Sequence, residues 1–428
     1  MSLIIYYVLQ YFAVCCLFAF DNMSDLSVLL FLIVVVLYAI LKILNLVVPA
    51  KPPTLFFGKG KHRDFVEQIV QLCPILRERY IPPLLWGKNG HLHTLVFSKF
   101  SPKIECKAKR HQHSVKLEDN STVIFDIFEP CSDEKSKFRN DYTIVVVPGI
   151  ANDSNGAYVL SLCQYATRLG YRVVVLNHLG VLPGVKLTSK RIFTYGSTHE
   201  LDAIVTFTVN NYPNTKLLGV GFSLGGNILV KYLGENVEHQ KHFLCALSVC
   251  QGYDIVKACT VMEEWDGLRR GYNWLITQQV KKVIKRHAQE LLGGCSSTPY
   301  QDFKRNKVLK ATLIKDIDEH FGRKMAGYQS VDDYYKYSSS SNYIDKVEIP
   351  MLLVNAQDDP LVPEELLETP KKYVSRPNSK AIFVLSQFGG HLGFYEGGFL
   401  QRATQTWIDK VILKYIDAVL TIQDKSIS

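Results

Sequence analysis

Several familiar signatures are missing from this 428-residue chain. Among its 10 cysteines there is no Cys-x-x-Cys pair, and no Cys/His quartet has zinc spacing, so neither a metal site nor a disulfide framework is expected. Cys245 and Cys250 sit in an apolar run, where a free thiol acts as a small hydrophobe. With only 17 Pro, 27 Gly and 47% hydrophobic residues, the chain is neither disordered nor collagen-like. No internal repeat is visible, and Ser338 to Ser341 is the one low-complexity run. The formal net charge is +9, yet no basic arm carries it. Its densest runs, Lys103 to Lys116 and Lys281 to Arg286, are broken by apolar residues. They read as solvated faces or as attraction to an anionic membrane surface, and nucleic acid is not expected as a partner.

What the chain does have, near its start, is a long apolar stretch. Leu26 to Val48 contains only Lys42 and Asn45 as strongly polar residues, both near one end where a long side chain can snorkel. As a helix it is long enough for a hydrocarbon core of about 30 Å, and Pro49, Pro52 and Pro53 stop it. A membrane anchor over 26–48 is expected. Leu3 to Phe20, inside the apolar extension 1–25, reads equally as a signal peptide, a second span or a dispensable extension. Lys51, Lys59, Lys61 and Arg63 after the anchor favour a cytosolic C-terminal bulk. The glycosylation sequons at Asn120 and Asn152 favour the opposite side.

Beyond a linker and N-terminal extension over 49–114, strand-like and helix-like patches alternate. Val123 to Phe128 alternates apolar and polar residues, as a half-buried strand does, while Thr143 to Val147, Arg172 to Leu176, Leu217 to Val220, Phe243 to Val249, Met351 to Val354 and Ala381 to Leu385 are short and almost wholly apolar. Such runs suit strands buried on both faces of a parallel sheet. Helical patterns over 157–169, 199–211, 225–233 and 400–420 fall between or after them, which predicts a doubly wound, mostly parallel α/β sheet over 115–250 and 349–420. The interval 251–348 lacks a strong strand and reads as a helical lid insertion.

Gly221-Phe222-Ser223-Leu224-Gly225 follows a strand and opens a helix, the context a Gly-x-Ser-x-Gly nucleophile elbow requires. A lone serine is a poor nucleophile and needs a base with an orienting acid. In the order Ser, acid, His, the next strand end offers Asp358 and Asp359, and the one after it offers His391 behind two glycines. Asp359 is favoured because Pro-Leu-Val-Pro follows it; Asp358 competes. The oxyanion donors are expected to be the Leu224 N–H and, from the loop Pro148 to Asn152, the Ile150 N–H. His178 follows a strand and is expected as a wall residue. In the insertion, Trp265 and Trp274 are candidates for lining an acyl-chain pocket.

The runs Tyr80 to Trp86, Asn89 to Leu92, Pro148 to Asn152, Asn177 to Gly180, Gly221 to Asn227, Ser248 to Tyr253, Asn355 to Val362 and Gly389 to Phe394 together resemble the membrane-anchored α/β-hydrolase-domain lipases. That resemblance implies Ser223 as nucleophile, Asp359 as acid and His391 as base. It implies hydrolysis of acylglycerols such as 2-arachidonoylglycerol and of short acyl esters, without a cofactor. It also implies a type II single-pass anchor in the plasma membrane or endoplasmic reticulum. A steroid modulator enters by resemblance only, since no motif here carries hormone binding. An acyltransferase or thioesterase would use the same triad, and a lipid or steroid receptor could sit on the same fold without needing it.

Overall fold

The computed structural model describes residues 25–131, 141–292, 305–400 and 402–427. The apolar stretch Leu3 to Phe20, Cys15, Cys16 and Cys295 lie outside the described residues. The chain divides into two compact units, Met1–Pro49 and Ala50–Ser428. In the first, a helix runs over Asp25–Ile43 and its apolar side chains are exposed. Its segment Leu26–Ile43 is long and apolar enough to cross a membrane, with a mean hydropathy of 2.9.

Among the described residues the second unit has nine strands: β1 (Thr54–Phe57), β2 (Arg110–Lys116), β3 (Thr122–Phe128), β4 (Tyr142–Val147), β5 (Arg172–Asn177), β6 (Lys216–Phe222), β7 (Phe243–Val249), β8 (Met351–Ala356) and β9 (Ala381–Ser386). Their order is β1-β9-β8-β7-β6-β4-β5-β3-β2. From β5 through β4, β6, β7 and β8 to β9 the neighbours are parallel; β1, β2 and β3 are antiparallel to their neighbours. This is the doubly wound α/β sheet.

Alternation along the strands separates two buried faces. Val145, Val147, Val174 and Leu176 share a cluster with Leu201 and Ile204 of the His199–Asn211 helix and with Leu229 of the Leu224–Glu235 helix. Their neighbours Ile144, Val146, Val173 and Val175 are equally buried and face the other way. The Trp407–Ile427 helix packs against the Ala157–Arg168 helix, the Arg63–Leu72 helix and β7. It begins later than the apolar pattern suggested because Thr406 and Asp409 cap it reciprocally: the Thr406 N–H donates to the Asp409 carboxylate at 3.0 Å, and the Asp409 N–H to Thr406 Oγ1 at 3.2 Å.

The segment 49–114, read from sequence as linker and extension, supplies β1 and most of β2, the two edge strands. Four residues between proline and glycine make β1 too short to stand out, and only its pairing with β9 identifies it. β2 is the basic run RHQHSVK, an edge strand in which exposed and half-buried residues alternate. The interval between β7 and β8 is helical among its described residues, chiefly Ile255–Met262, Arg269–Arg286 and Val331–Ser338. These helices form a separate core with residues 179–195, in which Val280, Ile284 and Tyr335 pack against Leu179, Ile192 and Phe193.

Candidate active site

At the C-terminal end of β6 the chain turns sharply into the Leu224–Glu235 helix, with Ser223 between them at φ 52° and ψ −117°. A side-chain-bearing residue rarely adopts this conformation, and two contacts hold it. The Ser223 N–H donates to Val249 O at 2.8 Å, and the Ser223 carbonyl accepts from the Gly226 N–H at 3.0 Å. The elbow also demands glycine for space: a Cβ at Gly225 would lie 1.9 Å from the Val147 carbonyl oxygen. Ser223 Oγ is thereby held at the helix N-terminus, where developing negative charge is favoured.

Two later strand ends bring partners from far along the chain. His391 Nε2 lies 2.9 Å from Ser223 Oγ, and His391 Nδ1 lies 2.8 Å from Asp359 Oδ2. With Nδ1–H donating to the carboxylate, Nε2 is left to accept the Ser223 hydroxyl proton. Asp359 is buried, and its other oxygen accepts the N–H groups of Leu361 at 2.8 Å and Val362 at 3.1 Å. So Asp359, not Asp358, meets His391. The Asp358 carboxyl instead accepts the Gly390 N–H at 2.8 Å, and its Oδ2 has no partner among the described residues. Burial, followed by the neighbouring Asp359 charge, pushes the Asp358 carboxyl up to about 7.

The two expected oxyanion donors border the same space. Leu224 opens the helix after Ser223, and Ile150 lies in the loop after β4; both line the cavity that contains Ser223 and His391. In that loop the Gly149 N–H donates to Tyr158 Oη at 2.9 Å, and the Asn152 side chain donates to the Ile150 carbonyl at 2.9 Å. The Gly149 N–H is therefore engaged elsewhere, and Ile150 is the next donor along. His178 is buried and donates from Nε2 to the Pro148 carbonyl at 2.8 Å, which braces this loop from behind. Burial holds its pKa below the usual range.

The cavity over Ser223 has a volume of about 170 Å³ and an apolar wall that includes Ile255, Ala258, Met262, Ile276, Ile314 and Leu366. Trp265 and Trp274 are not brought into it: they are 77% and 48% exposed, on the outside of the insertion. The sequence suggested them as large apolar residues in a helical stretch. The Arg269–Arg286 helix turns Ile276 inward and Trp274 outward, and Trp265 lies ahead of it in the bend. The base of the insertion is tied to the nucleophile helix. The Asn227 amide donates to the carbonyls of Tyr195 and Ser338, each at 2.8 Å, and its oxygen accepts the Ser340 N–H at 2.9 Å.

Cys250, Asp359 and His391 offer ligand atoms within 4.8 Å of one another. A cation there would have to displace the Nδ1 proton that joins the imidazole to Asp359, and would need a thiolate. Burial, and then the Asp359 charge, pushes the Cys250 thiol well above its ordinary range. The donor set fits a thiol packed on an acid–base pair better than a metal centre. Sequence reasoning did not single out Cys250, His93 or Thr94 for this site. Cys250 lies inside the run Ser248 to Tyr253, to which no role was assigned, whereas His93 and Thr94 lie just beyond the run Asn89 to Leu92 and carried no signal.

Comparison with known proteins adds a family. Residues 142–398 match the family model described as the alpha/beta hydrolase fold. Monoacylglycerol lipase ABHD2 of Homo sapiens is 42% identical over 386 residues, covering 90% of this chain and 89% of the relative. Abhydrolase domain-containing protein 2 of Drosophila melanogaster is 35% identical over 362 residues, covering 84% and 89%. Phospholipase ABHD3 of Mus musculus is 28% identical over 383 residues, covering 87% and 85%.

Proposed function

The chain belongs to the α/β-hydrolase family and is a lipid ester hydrolase, and we propose that it cleaves monoacylglycerols and short-chain carboxylic esters through an acyl-enzyme on Ser223. The observation that carries this reading is the unbroken hydrogen-bonded line Ser223–His391–Asp359 at 2.9 and 2.8 Å, opening on an apolar cavity.

In the proposed reaction Ser223 Oγ attacks the ester carbonyl carbon while its proton passes to His391 Nε2. Asp359 holds the Nδ1–H and balances the imidazolium charge. The tetrahedral oxyanion is received by the N–H groups of Leu224 and Ile150, whose effect is large in a site that excludes water. Collapse breaks the bond to the glycerol oxygen, which takes the proton from Nε2 as the alcohol leaves. Water then repeats the sequence on the acyl-enzyme, with His391 as base, and releases the fatty acid. The acyl chain lies along the Ile255, Ala258, Met262 and Ile276 wall.

In the same reading residues 26–48 anchor the protein in a single pass, type II, in the plasma membrane or endoplasmic reticulum. Residues 115–250 and 349–420 form the catalytic core, to which the segment 49–114 adds edge strands, and 251–348 form the lid. The proposal does not extend to a steroid modulator, for which no residue in the chain argues.

The test is labelling of the purified protein with a fluorophosphonate probe, with lipid profiling of wild type against Ser223→Ala. Labelling of the wild type alone, and a loss of ester turnover on the order of 10⁴-fold or more in Ser223→Ala, are expected. Near-wild-type turnover in folded Ser223→Ala would refute the assignment.

A further inference from the structure

The family model begins at residue 142, yet the base loop is held by a helix some fifty residues upstream of it. That loop needs holding. From Gly389 to Phe394 it includes four residues at positive φ: Gly389 at 148°, Gly390 at 55°, and the side-chain-bearing Leu392 at 66° and Phe394 at 41°. Backbone of this kind persists only where surrounding contacts over-determine it.

The contacts come from the Gly90–Phe100 helix. Asn89 caps it by accepting the Leu92 N–H at 3.0 Å. Gly90 brings its first turn against the strand end that carries Asp358: a Cβ there would lie 1.7 Å from the Asp358 carbonyl oxygen. From that position Thr94 Oγ1 donates to the Gly90 carbonyl at 2.8 Å and accepts the N–H of His391 itself at 2.9 Å. One residue earlier, the buried His93 ring bridges two backbone groups. Nδ1–H donates to the Gly87 carbonyl at 3.0 Å, and Nε2 accepts the Tyr395 N–H at 2.9 Å. These partners require one neutral tautomer, and burial supports it by pushing the His93 pKa down to about 4.

We propose that His93 and Thr94 are positioning residues for the reaction, fixing the backbone on both sides of the His391 ring so that Nε2 stays in line with Ser223. Neither residue lines the cavity, so neither acts on substrate binding. Thr94 fixes the amide of the base itself. His93 fixes the loop four residues on, at Tyr395, so the two contacts bracket Leu392 and Phe394, the two side-chain-bearing residues at positive φ.

The inference rests on the triad reading above, and its test separates the two. In the full-length protein, kcat and KM for a short acyl ester, the rate of fluorophosphonate labelling and the melting midpoint are compared across variants. Thr94→Val keeps the shape and loses the acceptor. It should lower kcat and labelling by up to about 100-fold, the usual penalty for an ångström of misplacement, with KM within about twofold. Thr94→Ser should restore most of the rate. His93→Gln, which can also donate to Gly87 and accept from Tyr395, should exceed His93→Phe in the same way. A folded Thr94→Val with wild-type kcat, or equal losses in the serine and valine variants, would overturn the proposal. If Thr94→Val does not fold, the His93 pair decides by the same criterion, equality of Gln and Phe being fatal. Failure of the wild type to label at Ser223 would instead remove the triad reading.

Discussion

Replacing Asp359 by Asn changes one atom, and the structure indicates where that atom must go. The carboxylate presents Oδ1 to two backbone donors, the N–H groups of Leu361 and Val362, and Oδ2 to His391 Nδ1. If the amide nitrogen faced Leu361 and Val362, the half-buried Leu361 N–H and the buried Val362 N–H would lose their acceptor, at about 1–3 kcal/mol for the buried one. The carbonyl oxygen therefore takes the Oδ1 position and the NH₂ turns to the imidazole. Nδ1 must then accept, so its proton moves to Nε2, which lies 2.9 Å from Ser223 Oγ and can no longer receive the serine proton. The expected fall in kcat is on the order of 10⁴-fold, about 5.4 kcal/mol of transition-state stabilisation, with the fold unchanged. Asp358→Asn meets no such conflict, because one oxygen suffices for the Gly390 N–H and the other has no partner among the described residues. Its kcat should stay within about tenfold of wild type. Steady-state turnover of a short acyl ester at pH 8, with circular dichroism for fold, reads both variants. If Asp358→Asn is the more damaged, the hydrogen-bond argument is wrong.

Two further outcomes are expected. Asp318 is buried, its carboxyl pushed up to about 7 by that burial despite donations from Tyr335 Oη at 2.7 Å and Tyr195 Oη at 3.2 Å. The folded chain thus keeps this proton up to about pH 7, while the unfolded chain releases it near 3.8. Stability should therefore fall as pH rises from about 4 to 7, by about 4 kcal/mol from this group alone, and stay lower above that. Melting midpoints across that range should slope less in Asp318→Asn; an unchanged slope would assign the dependence elsewhere. Trp265 and Trp274 lie on the outside of the insertion. Their joint replacement by Ala should leave turnover of a soluble acetyl ester within about twofold and stability within about 0.5 kcal/mol per site, while lowering turnover of monoacylglycerol presented in vesicles. A larger loss on the acetyl ester would contradict the exposed placement.

The elbow is legible in the sequence because everything it needs is local. A buried strand, two glycines around a serine and a helical pattern occupy the consecutive residues Lys216 to Glu235, and sterics leave them few alternatives. The six parallel strands β4 to β9 are legible for a similar reason: burial on both faces forces continuous apolar runs, and those runs survive in any context, whereas β3 shows by its apolar–polar alternation. The order Ser, acid, His comes from strand succession alone. The choice between Asp358 and Asp359 needs the folded loop, because adjacent residues on a turn point in opposite directions and only tertiary structure shows which one meets His391.

Other features exist only in three dimensions. β1 and β2 are an edge pair whose short or polar patterns carry no burial signal; they become strands through partners on β9 and β3. The inward turn of Ile276 and outward turn of Trp274 depend on how the Arg269–Arg286 helix is rotated, and both residues are apolar. Most distant of all is the support of the base. The Thr94 hydroxyl meets the His391 amide across 297 residues, and a threonine on a short helix looks the same in sequence whether or not such a partner awaits it. Local sterics and burial wrote the nucleophile into the sequence, whereas the precision of its base depends on long-range contacts that only tertiary packing creates.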